Sequence, residues 1–294
     1  MALLSGIIKN NNLISEADWI NHISSLKISE LFDNKQAAIK YINESLENAI
    51  KKRMPSNHFG ILFSGGVDST FIAFLCKKLG GNFTCYTVGI EGSKDVVEAE
   101  KVAKELDFKQ KCKILNNEEI EEYFKKVIKI LGETNVVNVG VGATALAAIE
   151  LGEKDGVDSF FSGLGSEEIF AGYERHSKAQ NINDECWSGL KGMWKKDLLR
   201  DYAIGKHENI DLLVPFLDED VIKTAMRVPG EWKISGEHKK MILREAAIKT
   251  GMPELFAMRK KVAAQYGSGI DKVMERLAKK KRIGKAEYLK SLAP

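Results

Sequence analysis

Ser64-Gly65-Gly66-Val67-Asp68-Ser69 gathers two hydroxyls, two glycines and a carboxylate within one short stretch. Before it runs Phe59-Gly60-Ile61-Leu62-Phe63, an apolar segment that reads as a buried strand. After it, apolar residues recur at helical spacing from Thr70 to Leu79, until Gly80-Gly81 stops the helix. A strand, a tight turn and a helix start make an anion cradle: glycines let the backbone approach oxygen atoms, hydroxyls donate, and the positive helix end favours phosphate. No lysine follows the glycines, so this is not the Gly-Lys-Ser/Thr loop of NTPases that transfer the terminal phosphate. Asp68 stands there instead, and a carboxylate beside polyphosphate makes sense chiefly as a ligand of Mg²⁺, direct or through water.

Four further clusters carry polar chemistry. Ser162-Gly163-Leu164-Gly165-Ser166-Glu167-Glu168 also follows a strand pattern; its carboxylates suit a metal, or equally the start of a helix. Asp218, ending Val214-Pro215-Phe216-Leu217-Asp218, reads as a helix cap. His238 to Arg244 spreads basic residues along one expected helix. Arg259-Lys260-Lys261 approaches the glycine-rich turn Gly267-Ser268-Gly269, where lysines suit phosphate or simply solvent.

The elements that must position these groups alternate. Helix is expected over about 37–54, strand at Phe83 to Val88, helix over 95–106, strand at 111–115, helix over 118–131, helix from Ala143 to Leu151 and strand at Ser159 to Ser162. Such alternation implies an α/β fold, a parallel twisted sheet flanked by helices, with ligands beyond the carboxyl ends of the strands. From about residue 174 the pattern turns helical, with candidates near 196–205, 218–227, 237–250 and 270–279. Residues 1–36 read as an N-terminal extension, with a helix over Ser15 to Ser25, packed on the sheet edge; residues 37–294 read as one domain with a helical C-terminal part.

Composition excludes several classes. In 294 residues, 44% are hydrophobic and 29% charged, which describes a globular chain with a sizeable core. Its 44 basic and 41 acidic residues leave a net charge of only +3, so charge balance names no nucleic-acid partner, and Lys279-Lys280-Lys281-Arg282 reads as a solvated helix face. Four scattered cysteines suggest neither a zinc site nor a redox dithiol. No apolar stretch near membrane-spanning length and no signal-peptide layout are read from the sequence, so no membrane partner and a cytoplasmic location are expected.

In their order, these motifs make the chain, from about residue 37 to 270, resemble the synthetase domain of asparagine synthetase and its relatives, including β-lactam synthetase. Ser64 to Ser69 matches the pyrophosphate loop of the ATP pyrophosphatase (PP-loop) superfamily; Thr87-Val88-Gly89, Ser162 to Tyr173, Val214 to Asp218, Lys240 to Arg244 and Arg259 to Lys261 match the later motifs. The resemblance implies an adenine nucleotide alpha-hydrolase-like fold that uses ATP and Mg²⁺. It places Leu62, Val88, Ser162 and Gly163 at adenine and ribose, and Ser64, Gly65, Gly66, Asp68 and Ser69 at the polyphosphate. Asp68 and Glu167 would share Mg²⁺, and Lys261 would offset charge at the reacting phosphates. A small-molecule carboxylate would attack the α-phosphorus of ATP, releasing pyrophosphate, and ammonia or an amine would then displace AMP.

Departures from the family pattern shape the expectation. Ala2 stands where glutamine-using members carry cysteine, and Ser64 lies too near the start for a glutaminase domain to precede it, so ammonia is expected from solution or from a separate glutaminase subunit. Leu164 replaces a glutamate that serves asparagine formation, and leucine neither accepts a proton nor orients an amine. Glu168 or Asp218 is the expected substitute. Glu167 replaces the metal-site aspartate. The expected function is an AMP-forming carbon-nitrogen ligase whose carboxylate need not be aspartate. The alternatives are a catalytically reduced nucleotide-binding subunit working with a glutaminase or other partner, and a tRNA-modifying PP-loop enzyme. A homo-oligomer is an open expectation.

Overall fold

Phe59–Leu62 (β1), Phe83–Gly89 (β2), Gln110–Ile114 (β3), Ser159–Phe161 (β4) and Asp211–Leu213 (β5) pair in parallel in the order β3-β2-β1-β4-β5. This is seen in a computed structural model that describes residues 8–9, 12–259 and 264–294. β2 is buried along its whole length, as expected of a strand covered on both faces. The chain leaves β1 toward β2 and β3, then crosses back to β4 and β5. The order therefore reverses between β1 and β4, and a crevice opens where their carboxyl ends diverge. Ser64–Ser69 leaves β1 and Ser162–Glu168 leaves β4, so both motifs flank that crevice.

The longer helices are Glu16–Ser25 (α1), Lys35–Arg53 (α2), Val67–Lys78 (α3), Lys94–Glu105 (α4), Asn117–Leu131 (α5), Val136–Glu153 (α6), Ile182–Met193 (α7), Leu199–Glu208 (α8), Glu219–Met226 (α9), Met241–Thr250 (α10) and Ile270–Lys280 (α11). A π-helical turn, Trp194–Leu198, joins α7 to α8.

Five sequence expectations are corrected. α6 begins at Val136 rather than Ala143: Asn135 caps it by accepting hydrogen bonds from the N–H groups of Val137 and Asn138, and burial of Val139, Gly140 and Gly142 outweighs the poor helix propensity of valine and glycine. At this full length α6 is apolar enough to cross a membrane, with a mean hydropathy of 1.3, contrary to the expectation that no such stretch exists. Here it is a core helix, buried against α5 and the sheet. β5 was not foreseen as a strand, being only three residues long. His238–Lys239 is not helical. It pairs with Ile234–Ser235 across a turn in which Gly236 has φ +56°, and helix starts only at Met241.

The fifth correction concerns the N-terminal segment, whose described helix α1 packs on α7 and the π-helical turn rather than on the sheet edge. Trp19 and Ile23 of α1 are fully buried; Trp19 Nε1 donates to the Leu190 carbonyl at 3.0 Å, and Trp194 Nε1 donates to the Ile14 carbonyl at 2.9 Å. These indole donors are satisfied only by that docking.

Packing across the centre of the sheet is tight. A Cβ added at Gly60 in β1 would lie 2.3 Å from the Phe160 ring of β4. Gly60→Ala is therefore expected to cost about 1–3 kcal/mol by overpacking. In urea denaturation its midpoint should fall, and Phe160→Leu in the same chain should recover part of the loss. An unchanged midpoint in Gly60→Ala would contradict this packing.

Candidate functional site

The turn after β1 is built for close approach. Gly65 has φ +65°, and a Cβ there would lie 2.9 Å from the Ala99 backbone nitrogen of α4, so any side chain would be both strained and obstructed. Gly66 caps α3 without a side-chain hydrogen bond, which leaves the first-turn N–H groups of a three-turn helix facing outward for an anion. Gly66 N–H donates to Ser64 Oγ at 3.3 Å, and Ser69 Oγ donates to the Gly66 carbonyl at 3.3 Å, which holds both hydroxyls in the turn. Arg259 Nη1 donates to the Ser64 carbonyl at 3.0 Å, tying a C-terminal segment to the loop.

A cavity of about 340 Å³ opens at the crevice. Leu62, Ser64, Asp68, Ser69, Val88, Ser162, Gly163, Glu167 and Glu168, all expected from the sequence, line it. Gly65 and Gly66 shape the loop without lining the cavity. One wall is a face of α6 from Val137 through Val141, Thr144 and Ala145 to Ala148, about 16 Å of helix. Near the sheet, Ala148 and Ile149 face Leu62, Tyr86 and Val88, an apolar slot suited to a planar base.

Beside the loop, Lys240 is buried, its side chain 1% exposed. Its Nζ lies 2.6 Å from Asp68 Oδ2 and 3.2 Å from Ser166 Oγ, and it contacts Glu167 Oε1. Burial alone would lower its pKa; the Asp68 and Glu167 carboxylates outweigh that and hold it above the ordinary lysine value. Lys240 adopts φ +57°, a left-handed conformation uncommon for lysine, as the residue that caps α10. Gly172 leaves room for the cluster: a Cβ there would strike Glu167 and the Lys240 stem. Arg244, one turn on, donates to the Lys239 and Arg259 carbonyls at 2.8 Å each, clamping both ends of this segment.

The cavity wall also includes Glu168, Tyr173, Asp197, Arg200 and Asp201. Arg200 Nε donates to Asp201 Oδ1 at 2.6 Å, and Nη1 lies 3.2 Å from Asp197 Oδ1. Glu168 is buried, and burial, then the nearby Asp197 and Glu167 charges, push its pKa up to about 7. Burial likewise raises Asp197. Tyr173 is raised by burial and by Glu168.

Two expected residues do not join this wall. Asp218 caps α9, accepting from Asp220 N–H at 3.1 Å, and its other oxygen pairs with buried Arg53 at 2.7 Å. Neither Asp218 nor Arg53 lines the cavity. Lys261 lies outside the described residues. The sequence reading also passed over Lys240 as part of a basic helix face, and over Asp197, Arg200 and Asp201 altogether. For the latter, the available signal was i, i+3, i+4 spacing of opposite charges on one helix face.

Comparison with known proteins places this geometry in context. The asparagine synthase family profile matches residues 41–188 and 177–292. A protein assigned as glutamine-hydrolysing asparagine synthetase 1 of Methanocaldococcus jannaschii is 34% identical over 284 residues, covering 83% of this chain and 52% of that protein. Glutamine-hydrolysing asparagine synthetase 1 of Arabidopsis thaliana is 29% identical over 223 residues, covering 70% of this chain and 38% of that protein. The chain thus spans about half the length, or less, of these curated relatives. Among solved structures, NMN synthetase from Francisella tularensis aligns with 89% of this chain and 93% of its own, at 13% identity and a TM-score of 0.43.

One buried group supports the wall and titrates in an accessible range. His176 is fully buried, and its Nδ1 accepts a hydrogen bond from Tyr173 N–H at 3.0 Å. Burial and then Arg175 lower its pKa from 6.5 to about 4. The unfolded chain therefore binds a proton that the folded chain resists, and stability is lost as pH falls from about 6.5 toward 4. Thermal unfolding between pH 7 and pH 5 should show a smaller loss of Tm in His176→Gln than in the unaltered chain. Equal losses would mean that this imidazole is not held neutral by the fold.

Proposed function

Because the chain belongs to the asparagine synthase family, we propose that it is an ATP-dependent, AMP-forming ligase that joins a carboxylate to a nitrogen nucleophile. The observation that carries this reading is that the glycine turn brings the cavity-lining Asp68 carboxylate beside that of Glu167 at the sheet's switch point, with the buried Lys240 ammonium against both. That combination suits a polyphosphate: N–H groups at a helix start, an ammonium, and carboxylates placed to share a divalent cation.

The donor set fits Mg²⁺. Asp68 and Glu167 come from different turns, and Asp68 Oδ1 is buried with no hydrogen-bond partner among the described residues. Mg²⁺ is commonly held by one or two carboxylates together with phosphate oxygens and water. When bound there, it would neutralise charge on the polyphosphate.

The chain's own groups then divide the work. Leu62, Val88, Ser162 and Gly163 hold the nucleoside, and the Ser64–Ser69 turn holds the phosphates. Lys240 lies against the same carboxylates and adds a positive charge where pyrophosphate must leave. A substrate carboxylate oxygen attacks the α-phosphorus, the bond to pyrophosphate breaks, and an acyl-adenylate forms. The nitrogen nucleophile gives a proton to Glu168, the cavity-lining carboxylate next to the metal-side pair, and attacks the acyl carbon to release AMP. Leu164, beside the reacting centre, removes the polar group that other members place there, which supports a product other than asparagine.

Incubation with ATP, Mg²⁺ and a panel of amino, hydroxy and keto acids, with hydroxylamine as a general trap, tests this. The expected result is AMP and pyrophosphate in equal amounts for some carboxylate. Asp68→Asn should lower the rate by about 100-fold and Lys240→Met by a similar factor. Formation of ADP, or failure to bind ATP, would refute the ligase reading. ATP binding without pyrophosphate release for any acid would instead favour a nucleotide-binding subunit.

A further inference from the structure

We propose that the cavity lobe between Leu164 and the Asp197–Arg200–Asp201 triad holds the nitrogen nucleophile, and that this nucleophile is an aliphatic primary amine taken up as its ammonium ion. The inference rests on the ligase reading above, in which a nitrogen nucleophile displaces AMP, and it names the class of that nucleophile.

The charge at this end of the cavity has a definite sign. Asp197, Arg200 and Asp201 all line it, and Arg200 engages Oδ1 of both carboxylates. Their side chains are only 20%, 4% and 15% exposed, so the excess negative charge is weakly screened. An anion would meet two carboxylates around a guanidinium that is already paired. An ammonium would meet complementary charge and acceptor oxygens.

The remaining wall has the opposite character. Val137 and Val141 from α6, Ile204 from α8, and Leu164 are apolar residues lining the same cavity as the triad. Free ammonia or ammonium has no surface to bury on such residues, whereas an alkyl chain gains about 0.8 kcal/mol per buried CH₂. Asp197 lies within the π-helical turn and Arg200 and Asp201 in the first turn of α8, with Ile204 one turn later on the same helix. The three charged groups and one apolar wall residue therefore lie on one continuous helical segment. π-turns are rare and occur frequently at functional sites.

In the reaction, the bound R–NH₃⁺ gives one proton to a cavity-lining carboxylate and becomes R–NH₂. Its lone pair forms the C–N bond to the acyl carbon while the C–O bond to the AMP phosphate breaks. The electron pair of that bond goes to the phosphate oxygen, which also receives the surplus nitrogen proton, leaving a neutral amide. No oxidant or further reactant is required.

The test is a binding panel on the full chain, with and without ATP and Mg²⁺, using n-butylammonium, ammonium, 1-butanol and butyrate, read by calorimetry or ligand-observed NMR. n-Butylammonium should bind at least about tenfold more tightly than each of the other three. Asp201→Asn should weaken it by about tenfold and leave ATP affinity unchanged. Val141→Thr, nearly isosteric, should weaken n-butylammonium more than methylammonium. Equal binding of ammonium or butyrate to the unaltered chain would overturn the proposal, whether or not Asp201→Asn folds. Loss of amine selectivity with ATP still bound removes this inference alone; absence of ATP binding removes the ligase reading, while the nucleotide-free titration still decides the amine site.

Discussion

The buried ammonium of Lys240, held by Asp68 and Glu167, is the contact on which the arrangement of the site depends. An ion taken out of water loses several kcal/mol of hydration, and only close opposite charges offset that loss. Asp68 lies 172 residues from Lys240 in sequence and Glu167 lies 73 residues away. Leaving any one of the three unpaired would cost about 3–5 kcal/mol, so the turn after β1, the turn after β4 and the start of α10 are held in register together. The left-handed backbone of Lys240 belongs to the same constraint, since it ends the preceding hairpin and starts the helix within one residue. The helical C-terminal part is thus a wall of the site.

That register gives the cavity two unlike ends along a single helix face. Near the sheet, small and apolar residues of α6 lie opposite the ends of β1 and β2. Toward its start, α6 lines the same cavity as Asp197 of the π-helical turn and Arg200 and Asp201 of α8. α6 reaches both ends because it begins at Val136, and a helix starting at Ala143 would leave the charged end without its apolar wall residues. Leu164 stands between, on the turn after β4.

Much of this was legible because it is local. The strand, glycine turn and helix of residues 59–78 follow from apolar periodicity and two glycines, and both phosphate-side motifs fall at strand ends. What was misread has local signals too weak or too conflicting to decide. Val136 to Gly142 has poor helix propensity and is helical only because α5 and the sheet bury it. β5 is three residues long and pairs only because β4 provides an edge. His238 to Lys240 has no periodicity that distinguishes a hairpin from a helix start, so Lys240 was read only as one of several basic residues along a helix. Asp218 was weighed as a proton acceptor because its type permits it, although its cap and its pairing with Arg53 occupy both oxygens.

By itself, then, the sequence determined the groups available at each strand end: the hydroxyls and glycines of one turn, the carboxylates of another, and the leucine set among them. These follow from short-range sterics and hydrophobic patterning, which act within a few residues. Tertiary structure alone decided which charges meet. Coulombic pairing depends on distance in space, and that distance was set by the reversal of strand order between β1 and β4 and by the docking of α8 and α10 against the crevice. For this reason Lys240 became the partner of Asp68, while Asp218 was directed away to Arg53.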